Sequence, residues 1–179
     1  MKSRQESQEL LKEYIKSPAL INHCEMVASA MEAYAKDLGK SSEEIDKWWT
    51  TGLLHDLDWE MYPDEHPNKA INEILPEIGY EEEILDAIAA HAPERTGKQP
   101  ETEIERYLFA CDEISGFMNA ASLVRPEGFI GMKPKSITKK LKDSHFAAAV
   151  SREDINDGAK MIGKELGEHI AFLIEVFAK

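Results

Sequence analysis

Six residues combine side chains that bind cations with positions where a solvated role does not fit. His23 has Ala19, Leu20, Met26 and Val27 three and four residues to either side, which at helical spacing sets it on an apolar face. TTGLLHDLDWE, residues 50–60, places His55 and Asp56 side by side at the end of an apolar run that follows two tryptophans. His66 opens HPNKA, His91 follows Ile84, Ala87 and Ile88 on one face, and Asp112 follows Leu108 and Phe109 on an apolar helix. A single histidine on such a face is ordinarily a core residue with one backbone partner. A buried, unpaired carboxylate is different, because it costs several kcal/mol. Imidazoles and carboxylates converging from several helices on divalent metal would remove all of these penalties together. Adjacent helical residues point about 100° apart, so His55 and Asp56 can share an ion only where a helix ends and both can reach sideways. The donors are nitrogen and oxygen with no thiolate, which suits one or two ions of Mn, Fe, Zn, Co, Ni or Mg better than a sulfur-bound structural site.

The elements that must carry these residues are helices. Apolar residues recur at three- and four-residue spacing and no alternating run stands between turn signals, so the expected fold is all-α, a single domain over residues 1–179. SRQESQELLKEYIK predicts one amphipathic helix that stops at Ser17-Pro18, and residues 18–39 predict a second, ended by Gly39. Ser41, Ser42 and Glu44 form a capping-box pattern before the helix that runs into His55-Asp56. Residues 58–67 read as a loop, 68–79 and 80–91 as two shorter helices, 91–101 as a loop, and 101–124 as a long helix. Beyond a Gly/Pro-rich connection come a basic stretch, Lys133 to Lys142, expected to be a solvated helix, and one last helical pattern over 154–179.

Composition narrows the partners. The formal net charge of −13 opposes long nucleic acid, whose binding rests on clustered Lys and Arg. No run approaches the roughly 18 apolar residues of a membrane span, and the polar start, MKSRQESQELLKEY, lacks the apolar middle of a secretion signal, so a cytoplasmic protein without a membrane partner is expected. Cys24 and Cys111 sit among apolar neighbours, outside any CxxC pair, and read as small core residues.

The order His23, His55-Asp56, Asp112 on helices resembles the HD-domain superfamily of metal-dependent phosphohydrolases, over residues about 20–125, with 126–179 as a helical extension. His66 and His91 look like the additional ligands of its two-metal members. The resemblance implies that His23, His55, Asp56 and Asp112 hold the first ion and His66 and His91 the second, with Asp56 bridging and orienting the attacking water. Two features depart from many relatives: Trp59 stands where a lysine or glycine is common, and the loop from Asp56 to His66 is short. A phosphate clamp must then come from elsewhere.

Lys69, one helical turn beyond His66, and Arg95, in the loop after His91, are the candidate phosphate-binding cations, Lys69 also a candidate catalytic group. Asp58, Glu65 and Glu113 flank the motif and are expected mainly at the surface, with proton transfer or support of the ligands as the alternative. His145 and His169 fall outside the order and read as structural or exposed. The expected activity is hydrolysis of a small phosphorylated metabolite, a nucleotide or other phosphate ester. A dinuclear iron oxygenase and a metal-stabilised binding or regulatory domain share the same ligands.

Overall fold

The computed structural model describes residues 2–179, and among them every regular element is helical. The chain runs α1 (Arg4–Tyr14), α2 (Pro18–Asp37), α3 (Ser42–Leu54), a π-helical turn (Ala70–Ile74) continuing into α4 (Leu75–Ile78), α5 (Glu82–His91), α6 (Pro93–Thr96), α7 (Glu103–Leu123), α8 (Pro134–Leu141), α9 (Arg152–Met161) and α10 (Leu166–Phe177). Helix starts are chemically marked. Ser3 with Glu6, Ser41 with Glu44 and Thr102 with Glu105 form reciprocal capping boxes, and Ser17 caps α2 ahead of Pro18. Each satisfies amide donors that a first helical turn leaves open. No described helix is long and apolar enough to cross a membrane.

Two apolar clusters share α2. Val27, Met31, Tyr34, Leu108, Phe117, Ile170 and Leu173 belong to one, drawn from α2, α7 and α10. Leu11, Ile15, Ala28, Leu53, Leu54, Ile84 and Ile88 belong to the other, drawn from α1, α2, α3 and α5. Two close helix contacts have an identifiable cause. Gly52 on α3 lies against α2 so tightly that a Cβ there would sit 2.9 Å from the backbone of Ala28 and Val27. Gly158 on α9 does the same against α7, where a Cβ would meet Ala110 Cα at 2.7 Å.

The C-terminal expectation needs one correction. The pattern read as one helix over 154–179 is two, because the chain turns at Gly163 with φ +68°, a conformation glycine adopts without steric cost. The loop over 91–101, read from its prolines and glycine as irregular, contains the single turn α6. The basic stretch is the helix α8, anchored through buried Ile137.

Candidate metal centre

His23 sits on α2, one turn beyond its start, and His55 is the last cap of α3, so Asp56 follows in the turn that leaves the helix. That end position lets two adjacent residues reach the same place. His66 precedes the π-helical turn, His91 is the last residue of α5, and Asp112 lies mid-way along α7. Segments distant in sequence thus bring six donors together: ligand atoms of His23, His55 and Asp112 lie within 4.8 Å of one another, as do those of Asp56, His66 and His91. His23 Nε2 stands 3.2 Å from His55 Nε2 and 3.0 Å from Asp112 Oδ1.

Asp56 faces both groups. Its Oδ2 is 3.5 Å from His55 Nε2 and 3.7 Å from His23 Nε2, whereas its Oδ1 is 3.4 Å from His66 Nε2 and 3.9 Å from His91 Nε2.

The imidazoles are held in one orientation from behind. Nδ1 of His55 donates to Gly52 O at 2.8 Å, Nδ1 of His91 donates to Ile88 O, and Nδ1 of His66 donates to Asp58 Oδ1 at 2.7 Å. With the proton kept on Nδ1, each Nε2 turns a lone pair inward, the arrangement a metal-binding histidine needs. Asp58 is fully buried, against the surface position expected for it, and its Oδ2 accepts the Ala70 amide at 2.8 Å. One carboxylate therefore both fixes His66 and caps the helical turn that follows it. The signal was present in LDW, where the acid stands between two apolar residues, but a single charge in a turn reads equally well as solvated.

The electrostatics ask for a cation. Burial resists ionisation of Asp56 and Asp112, yet the imidazoles, His55 foremost, outweigh it and hold both carboxyls below the usual carboxylate range. Burial likewise opposes charging His55, but Asp56 and Asp112 prevail and raise its pKa well above the ordinary value. His91 is pushed down to about 4 by burial and by His55. Protons on imidazole and divalent ions are alternative ways to balance the same two partly buried carboxylates, and the fixed Nε2 lone pairs favour the ions. The donor set fits such metals, and Cys24, whose thiol is raised well above its ordinary pKa by burial, adds no thiolate to it.

A cavity of about 350 Å³ opens over these residues, near the lower end of the range for small-molecule sites. His23, Asp56, His66, His91 and Asp112 line its floor, with Trp59 and Arg95 on one side and Phe109, Glu113, Gly116, Ala149, Val150 and Asp154 elsewhere in its wall. Arg95 donates through Nη1 to Pro63 O and His66 O at 2.8 and 3.1 Å, and its guanidinium lies 5.3 Å from the Trp59 ring. Trp59, the departure noted from the sequence, thus serves as the platform for a cation that comes from another loop. Lys69 is not brought to the cavity. Its ammonium pairs with Glu73 at 2.6 Å and lies over the Tyr62 ring, because the helical turn after His66 points it away.

Glu113 also departs from the surface expectation. It lines the cavity, accepts the Ser151 amide at 2.9 Å, and is pushed up to about 7 by burial and by Asp112. Glu65 and His145 are exposed, while His169 is buried between Tyr34 and Ala110. Asp154, Ala149 and Val150 had no distinguishing mark in sequence, since they reach the cavity only through the path of the chain after α8.

Compared with known families, residues 20–116 match the HD domain, and the chain belongs to that family. No curated protein and no solved structure matches it.

Proposed function

We propose that the chain is a metal-dependent phosphohydrolase acting on a small phosphate ester. The observation that carries this reading is the placement of Asp56, one carboxylate oxygen toward His23 and His55 and the other toward His66 and His91. His23, His55, Asp56 and Asp112 would hold one ion, and His66 and His91 a second, with Asp56 shared. Divalent ions so bound supply a water that loses its proton near neutral pH and positive charge to offset the phosphoryl oxygens.

The chain's own groups do the rest. Asp58 and the Gly52 and Ile88 carbonyls keep the imidazoles in register. Arg95, with only Nη1 engaged by backbone, turns its remaining donors to a phosphate and is held flat by Trp59. The modest cavity selects a small ester, with a nucleotide as one class within it, and the acidic surface disfavours long nucleic acid.

The test pairs elemental analysis of tag-free protein with a screen of nucleotides, sugar phosphates and simple aryl phosphates under Mn, Fe, Co, Ni, Zn and Mg. Metal-dependent release of phosphate that vanishes in Asp56→Ala is the expected outcome. Protein that holds its full metal complement yet releases phosphate from none of them would overturn the hydrolase, and substrate-dependent oxygen uptake by the iron form would replace it with an oxygenase.

A further inference from the structure

The family match ends at residue 116, yet part of the cavity wall comes from residues well beyond it. Ala149 and Val150 belong to segment 142–151 between α8 and α9, a run of turns whose own backbone bonds are short-range, such as Phe146 N to Asp143 O at 3.3 Å and Val150 N to Ala147 O at 3.1 Å. Beyond such turns, its carbonyls need donors from outside the segment to hold one fixed path. Here they find one side chain. Arg152 Nη1 donates to Ala147 O at 2.6 Å and Val150 O at 2.7 Å, and Nη2 donates to Asp143 O at 3.2 Å and to Phe146 O. Ala147, one of these acceptors, has φ +45°, a left-handed conformation that a residue with a Cβ seldom adopts without such support.

The guanidinium is itself positioned from the site. It stacks over Phe117 with 5.0 Å to the ring centroid, and Phe117 lies on α7 one residue past Gly116 and five past Asp112. The next amide, that of Ser151, is tied to the same helix by Glu113. Helix α7 thus carries a metal-binding candidate on the cavity floor and two anchors of another part of the wall, Glu113 one residue further on and Phe117 five.

We infer that Arg152 is a positioning residue that fixes segment 143–151 as the outer wall of the cavity, and that this wall limits the size of the group attached to the phosphoryl end of the ligand. The inference rests on the phosphate-ester reading of the site. Arg152 touches neither the floor nor the ligand, and acts through Ala149 and Val150. Lysine cannot replace it, since one ammonium cannot span four carbonyls as a planar fork does.

The test uses the Mn-loaded protein with two unreactive probes, methylphosphonate and 1-naphthylmethylphosphonate, and reads their dissociation constants by calorimetry. The unaltered chain should bind the small probe more tightly by about tenfold or more, the scale on which a shaped pocket rejects excess bulk. Arg152→Ala and Arg152→Lys should bring the ratio to near one with metal content unchanged, and amide exchange over 143–151 should rise. Ala149→Phe, at an exposed position that leaves the guanidinium contacts alone, should widen the ratio instead. An unaltered ratio in all variants, or the absence of binding by either probe, overturns the size filter. Loss of discrimination in Arg152→Ala alongside failure of every phosphate ester to turn over would sustain the wall and remove only the hydrolase reading.

Discussion

Asp58 shows how much of this site is decided one atom away from the ligands. Its two oxygens are fully used, one by His66 Nδ1 and one by the Ala70 amide, and neither reaches solvent. Asp58→Ala frees the imidazole to rotate and leaves a helix-turn amide unsatisfied, so metal affinity at the His66–His91 position should fall by about 10- to 100-fold. Competition titrations should show that step weakened while the His23–His55–Asp112 step is retained. Equal loss of both would mean that Asp58 supports the fold rather than His66. His169 offers a second residue-level test. It accepts from the Tyr34 hydroxyl at 2.6 Å and donates to Ala110 O at 2.9 Å, and burial pushes its pKa down to about 4, with Lys164 adding to the shift. Because the unfolded imidazole titrates near 6.5, the unfolded chain holds the extra proton between those values. The contribution to stability is therefore complete above about pH 6.5 and is lost as pH falls toward 4, to a total of about 3 kcal/mol. Urea midpoints from pH 7 to 4 should show that slope in the unaltered chain and a shallower one in His169→Gln.

The helices that present the site are fixed by close approaches, and these were only partly legible in the sequence. The all-α fold, the capping box at Ser41–Glu44 and the six donors followed from spacing and residue type, because helical periodicity and the cost of a buried carboxylate are local facts. The roles of Asp58, Glu113 and Arg152 did not, since each depends on a segment that is close only after folding. Gly52 is an intermediate case: its identity is visible, its purpose is not. Gly52→Ala pushes a methyl into the backbone of α2, 2.9 Å from Ala28, with no flexible side chain to give way. The expected cost is about 1–3 kcal/mol, with more where the backbone cannot shift. The same substitution moves the carbonyl that orients His55 and separates α3 from the helix bearing His23, so chemical denaturation and metal binding should both weaken. A destabilised variant with unchanged metal affinity would show that the site tolerates movement of α3.

Over the whole molecule, bound metal should act as part of the fold, since ions held here would offset the charge of Asp56 and Asp112, carboxylates that are partly buried side by side. Ion present at a hundred times its dissociation constant adds about 2.7 kcal/mol per site. Thermal melts with and without chelator should therefore separate by several degrees, and Asp112→Asn should narrow the gap. Coincident melts would place the balance of charge on protonated imidazole instead. The close contact of Gly158 with Ala110 has another bearing, on biosynthesis. All six candidate ligands have been made by residue 112, but the helix that carries the sixth is backed by α9 at Gly158 and by His169 of α10. Until residues 152–177 have left the ribosome, α7 keeps its packing against α2 and α5 but lacks its backing on the other side. The nascent chain consequently passes through a stage in which the whole motif has been translated but is backed on one side alone, and a truncated chain ending before α9 should bind metal more weakly than the full one.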